Sequence, residues 1–183
     1  MNKAIILTLV ILVFAGAGAL VYHLYHGSGS SGPAYHVRTE FAFAVHAPYK
    51  TVAPLFGPEG ERAWASDNWN PRFVYPQPAR DIEGAVFRVS HGHRHATWIN
   101  TAFDLDQGHI QYVYVIPEMM VTLIDLHLSK AGDDTTDVRV AYERTALNSA
   151  ANEHVREFGA RDKNSGKEWG DDIGRYLENQ RQK

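Results

Sequence analysis

Residues 110–147 read IQYVYVIPEMMVTLIDLHLSKAGDDTTDVRVAYERTAL. Within them Ile110 to Ile116, Val121 to Leu128 and Val138 to Tyr142 each alternate apolar residues with polar or smaller ones, the period of neighbouring half-buried antiparallel strands. Ile124, Leu126 and Leu128 share one face of their strand while Asp125 and His127 share the other, and Val138, Val140 and Tyr142 likewise oppose Asp137, Arg139 and Glu143. An apolar sheet face has to be covered by another layer. Downstream, Trp169, Ile173, Tyr176 and Leu177 recur at helical spacing and form the stripe able to cover it. The pattern predicts an α+β domain, a curved antiparallel sheet wrapped around a C-terminal helix.

Upstream, Tyr35 to Ala47 alternates with Val37, Phe41, Phe43 and Val45 on one face, and Pro48, which lacks an amide donor, stops the strand. A short helix carrying Val52, Leu55 and Phe56 follows and closes at Gly57-Pro58, and a second covers Glu59 to Ala65. Ser66 to Pro78 is aromatic and turn-rich. Ala85 to Ser90 and Ala96 to Asp106 read as strands joined across His91 to His95, with later turns at Gln107-Gly108, Pro117-Glu118 and Ala131 to Asp134. After the last strand Asn148 or Ser149 caps a helix to about Phe158, and the polar Gly159 to Gly166 segment is expected to interrupt it before the final helix. The order is strand, two short helices, about six strands, helix.

Ala4 to Tyr22 is an uncharged run of 19 residues. As a helix rising about 1.5 Å per residue it would just cross a hydrocarbon core about 30 Å thick. Lys3 precedes it and no charge directly follows, which favours a cytoplasmic N-terminus and a domain outside the cytoplasm. The competing reading is a cleaved signal peptide and a secreted domain, because Ala15-Gly16-Ala17 and Ala17-Gly18-Ala19 satisfy the small-x-small rule. Gly27 to Gly32, GSGSSG, is a flexible tether of about 15 Å mean reach. The expected divisions are 1–26 anchor or signal, 27–34 linker and 35–183 domain.

Across 183 residues the formal charge is −3 and there is no cysteine. Nucleic acid is not an expected partner of such a mixed surface, and disulfides and thiolate chemistry are excluded. There is no Gly-x-Ser-x-Gly, no glycine-rich phosphate loop and no Walker pattern. His91, His93 and His95 alternate, as three zinc ligands on a strand would. Gly92 and the hairpin turn should splay them, however, and no adjacent carboxylate orients them. Neither a metal nor a cofactor is expected. Asp104 with Asp106, Asp133 with Asp134 and Asp171 with Asp172 read as solvated pairs, and Glu61 with Arg62 and Glu143 with Arg144 as structural ion pairs; Arg144 is the more interesting if buried.

The element order carries a resemblance, together with Glu61-Arg62-Ala63-Trp64-Ala65, Trp69-Asn70-Pro71, Tyr75-Pro76, Gly84-Ala85-Val86-Phe87 and Trp98. The strand Ile110-x-Tyr112 before Pro117, Thr136-x-Val138-x-Val140-x-Tyr142 and Thr145-Ala146-Leu147 extend it. Over nearly all of Tyr35 to Leu177 the chain resembles the START-like (SRPBCC, polyketide cyclase/dehydrase-type) superfamily. The resemblance implies a helix-grip fold with a tunnel between sheet and C-terminal helix that binds hydrophobic or amphipathic molecules, lipids among them. A minority of such proteins catalyse cyclisation, dehydration or hydrolysis there. The expected lining is Trp98, Tyr112 or Tyr114, Leu126, Val140 and Tyr142 from the sheet and Trp169, Ile173 and Tyr176 from the helix; the tyrosines are candidates to orient a ligand. No catalytic residue is assigned. A cell-envelope interaction module with a filled core is the remaining alternative.

Overall fold

The structure, a computed structural model, describes residues 32–91 and 94–182. The Ala4 to Tyr22 run and the centre of the His91 to His95 turn lie outside the described residues. Among the described residues no helix is long and apolar enough to cross a membrane. Pro33–Lys183 forms one compact unit.

The elements are β1 (His36–Val45), α1 (Tyr49–Val52) running into a 3-10 turn (Ala53–Phe56), a second 3-10 turn (Gly60–Ala63), β2 (Arg72–Tyr75), β3 (Val86–His91), β4 (Arg94–Asp104), β5 (His109–Ile116), β6 (Met120–Gly132), β7 (Thr135–Ala146) and α2 (Asn152–Arg181). The strands form a seven-stranded sheet of order β1-β7-β6-β5-β4-β3-β2, antiparallel throughout. The three strands read from residues 110–147 are β5, β6 and β7, with burial alternating as their sequence demands. β2 arises inside the segment expected to be turns, where Phe73 pairs with Phe87 and their rings stack at 5.4 Å. Register shifts between Phe73 and Tyr75, Asn100 and Ala102, and Lys130 and Gly132 add local twist that bends the sheet.

The expected interruption at Gly159 to Gly166 does not occur: α2 is one helix of 30 residues. Glycine is disfavoured in a helix interior by about 0.5–1 kcal/mol relative to alanine, which is why the segment reads as a break. Packing reverses that reading. A Cβ at Gly159 would meet Val37 Cγ1 at 3.2 Å, one at Gly166 would meet Phe41 Cδ2 at 3.1 Å, and one at Gly170 would meet Phe43 Cδ2 at 3.4 Å. Residues 159, 166 and 170 thus step along β1 past 37, 41 and 43, four helical residues advancing about as far as two residues of strand. The buried stripe Val155, Gly159, Asp162, Gly166, Ile173 and Leu177 is the face laid on the sheet.

Both ends of α2 are tied to the same edge of the sheet. Asn148 accepts a hydrogen bond from the Ala151 amide at 3.0 Å. The Asn152 side chain accepts from the Tyr35 amide at 2.8 Å and donates to the Pro33 carbonyl at 3.1 Å, and Arg181 Nη2 donates to the His46 carbonyl at 3.3 Å.

Gly174 has nothing within 4 Å of its virtual Cβ, whereas Gly166 is already at contact distance. Gly174→Ala should therefore raise the unfolding free energy by about 0.5–1 kcal/mol. Gly166→Leu should lower it by about 1–3 kcal/mol through overpacking against Phe41, and urea denaturation midpoints compare the two.

Candidate functional site

The register assembles one concave wall from residues far apart in the chain. Trp98, Tyr114, Thr122, Arg144 and Val37 are successive cross-strand partners from β4 to β1; Asn100, Tyr112, Ile124, Tyr142 and Thr39 form the next row. Facing this wall, α2 packs mainly on β1 and β7. Between wall and helix lies a cavity of about 730 Å³.

Two aromatic groups bound it. Trp169 of α2 sits against Phe41, Phe43, Phe56 and Trp64 with ring centroids 5.5 to 6.5 Å apart. Trp98 stacks on Tyr114 at 4.2 Å and meets Trp69 edge-on at 5.4 Å. The chain has four tryptophans, and all four line the cavity. Two of them and one tyrosine are held by hydrogen bonds to the segment that caps the cavity: Trp64 Nε1 donates to the Leu55 carbonyl at 2.7 Å, Trp69 Nε1 to the Pro58 carbonyl at 3.0 Å, and the Tyr112 hydroxyl to the Phe56 carbonyl. Trp98 Nε1, Thr122 Oγ1 and Arg144 Nε, all in one row, are buried without a hydrogen-bond partner.

Of the residues expected to line the tunnel, Trp98, Tyr112, Tyr114, Leu126, Tyr142 and Trp169 stand on the cavity wall. Val140, Ile173 and Tyr176 do not. Val140 and Ile173 are fully buried in the core: Val140 pairs with Phe41, whose ring lies 5.5 Å from that of Trp169, and Ile173 belongs to the face laid on the sheet. Tyr176 is partly buried against that core.

The structure pairs Arg62 and Glu143 with partners other than their sequence neighbours. Arg62 bonds Glu59 at 2.7 Å, not Glu61, and Glu143 bonds Arg38 at 2.8 Å, not Arg144. On a strand Glu143 and Arg144 point to opposite faces, so they cannot pair. Arg144 instead makes a bidentate, buried ion pair with Asp162 of α2, Nη1 to Oδ2 at 2.6 Å and Nη2 to Oδ1 at 3.0 Å. The Thr39 hydroxyl donates to the same Asp162 at 2.5 Å, and the guanidinium lies 4.1 Å over the Tyr142 ring. Burial raises the Asp162 carboxyl, and the contacts from Thr39 and Arg144 oppose that.

Glu61 is the residue that sequence reasoning missed. It stands on the second 3-10 turn, 9% exposed, on the cavity wall. Among the described residues its carboxyl has no hydrogen-bond or ion-pair partner. Burial first, and the nearby Asp81 second, push its pKa well above the ordinary carboxylate range. Burial also raises the phenols of Tyr112 and Tyr142. The available signal was spacing: Glu61, Trp64 and Ala65 fall on one helical face.

On the outer face of the sheet, His109 and His127 are direct cross-strand partners with rings stacked at 4.8 Å. Both contact Asp125, at 2.8 and 3.2 Å, and the three ligand atoms lie within 4.8 Å of one another, close enough to hold a metal ion. Hydrogen bonding within the trio satisfies the same atoms. Of the alternating histidines in the β3 to β4 turn, His95 contacts Ser90 at 3.0 Å.

No family model and no curated protein matches the chain. Solved structures do. An uncharacterised protein from Rhizobium leguminosarum, 15% identical, aligns with a TM-score of 0.57 over 80% of this chain and 97% of its own. The Mll3558 protein of Rhizobium loti is 20% identical, with a TM-score of 0.52 over 75% of this chain and 99% of its own. Norcoclaurine synthase from Thalictrum flavum, solved in complex with dopamine and hydroxybenzaldehyde, is 8% identical, with a TM-score of 0.58 over 79% and 87%. At these identities the likeness is one of fold, and the fold is the helix grip, a curved antiparallel sheet closed by a long C-terminal helix.

Because the folded chain binds the Glu61 proton more tightly than the unfolded chain does, this residue's contribution to stability falls as pH rises from the unfolded value near 4.5 towards the raised folded value. Glu61→Gln carries no such decline. Its melting temperature should exceed that of the wild type by a margin that grows above about pH 5 and closes below about pH 4. A margin independent of pH would show that Glu61 is not held protonated.

Proposed function

We propose that the domain binds an apolar or amphipathic small molecule, a membrane lipid being one such class, enclosed between the sheet and the C-terminal helix. The observation that carries this reading is the cavity itself. Its volume of about 730 Å³ falls within the range of about 300–1,000 Å³ in which small-molecule sites lie, and its wall sets eight aromatic and five aliphatic side chains beside nine polar or charged ones, as an amphipathic ligand needs. A filled core, as an interaction module would have, leaves no such space. The fold supports the same conclusion, since norcoclaurine synthase has two small aromatic molecules bound.

A cyclase or dehydratase reaction in this cavity is the second reading, and Glu61 is the observation in its favour. Acid and base work needs a proton donor and a separate acceptor in reach of the substrate. Asp162, the other buried acid at the cavity, is occupied by Arg144 and Thr39, which favours binding without chemistry.

We further propose that the domain works outside the cytoplasm, tethered through GSGSSG to Ala4 to Tyr22. The support is the uncharged length of that run, Lys3 ahead of it, and the apolar Leu20 and Val21 after the candidate cleavage sites.

Ligand binding should quench tryptophan fluorescence, because every tryptophan lines the cavity. Ile124→Trp, filling the cavity from the sheet side, should weaken uptake of a neutral aromatic probe more than about tenfold while changing stability by less than about 1 kcal/mol. Val140→Phe, in the packed core, should instead cost about 1–3 kcal/mol. A wild type that takes up no probe would overturn the binding reading.

Fractionation with N-terminal sequencing tests the tether. The full chain should be recovered in the membrane fraction with residues 4–22 attached. A soluble protein beginning near Leu20 would show cleavage instead.

A further inference from the structure

Resting on the binding reading above, we propose that the ligand is an organic cation, an amine or quaternary ammonium with an aromatic or aliphatic body, whose charged nitrogen sits beside Glu61 among the tryptophan faces. The first ground is Glu61 itself, a carboxyl buried on the cavity wall with no partner among the described residues. A buried acid without partners destabilises a fold, and a leucine would fill the position without that cost. A cationic ligand supplies the missing partner.

The second ground is the wall around it. Trp64, Trp69, Trp98 and Trp169 all line the cavity, Trp98 with its plane stacked on Tyr114 and Phe87, and an indole ring attracts cations more strongly than any other side-chain ring. A site for a neutral hydrocarbon gains nothing particular from placing every tryptophan of the chain there.

The third ground is charge. The charge of the interior cation, Arg144, is already balanced, since both its terminal nitrogens lie on Asp162 and its plane lies over Tyr142, which leaves Nε as its one unpartnered donor among the described residues. At the helix side of the cavity Asp172 is paired with Arg175 at 2.8 Å, and the acids Glu157 and Glu168 stand there with Arg161 and His154. The one remaining excess acid favours entry of a cation.

Binding moves one proton. The Glu61 O–H bond breaks, the proton passes to bulk solvent, and the carboxylate left behind pairs with the cation; no covalent bond forms to the ligand. The ionisable groups that act on Glu61 or are acted on by it are Asp81, from the segment between β2 and β3, Tyr112 of β5 and Tyr142 of β7. Both phenols are held neutral by burial. Asp81 accepts from the amides of Glu59 and Gly60 at 2.9 and 3.1 Å, so its hydrogen bonds are internal to the turn.

The test compares benzyltrimethylammonium, a permanent cation, with neopentylbenzene, its neutral carbon isostere, by tryptophan quenching on the full chain. The cation should bind the wild type at least about tenfold more tightly at about pH 8, and the advantage should shrink towards about pH 5 as protons compete for Glu61. Calorimetry in two buffers of different ionisation enthalpy should show up to about one proton released per cation bound below the raised Glu61 pKa. Glu61→Gln, checked for folding by its thermal melt, should bring the ratio between the two probes close to unity and abolish the proton release. Preference for neopentylbenzene in the wild type, or a cation preference that survives Glu61→Gln, would overturn the proposal while leaving hydrophobic binding standing. Binding of neither probe would overturn both.

Discussion

The ion pair between Arg144 and Asp162 is the constraint on which the arrangement of helix and sheet depends. Both side chains are buried, and taking each charge out of water costs several kcal/mol, so the pair is tolerable only with good geometry and further hydrogen bonds. Two parallel N–H···O contacts and the Thr39 hydroxyl supply them. The same three residues come from α2, β7 and β1, so satisfying the charge sets the position of the helix along the sheet edge. Gly159 and Gly166 flank Asp162 at minus three and plus four, the positions at which a side chain would hold the helix too far from β1 for the pair to close.

The cavity follows from that placement. A helix drawn onto β1 and β7 does not fill the space over the concave faces of β4, β5 and β6, and Trp98, Tyr112, Tyr114 and Ile124 are left facing it. The opposite side is closed by the segment from α1 to Trp69, pinned by the hydrogen bonds of Trp64, Trp69 and Tyr112 to backbone carbonyls. Large aromatic side chains frame the space without filling it, since rings locked by their neighbours cannot collapse inward.

Most of the fold was legible in the chain because the strands obey strict alternation. With period two, one residue's face assigns every other residue on its strand, and Val121 to Leu128 left no freedom of register. Where several weak signals had to be weighed, the reading failed. Gly159 to Gly166 looked like a break because local propensity is all that sequence shows, whereas the energy that holds the helix comes from close contact with β1. Glu61 reads as a partner of Arg62 by adjacency alone, whereas Arg62 lies on Glu59.

What the sequence by itself determined is the alternating sheet, the covering stripe on α2 and the aromatic supply for a cavity wall, since period and composition are local properties. Only the tertiary structure decided that Val140 and Ile173 are core while Glu61 and Arg144 stand at the cavity. It also decided that Asp162 pairs with Arg144, and that the glycines of α2 are contact points. Each of these depends on the distance between elements separated by many residues, which is set by packing and by the balance of buried charge and encoded in no single stretch of the chain.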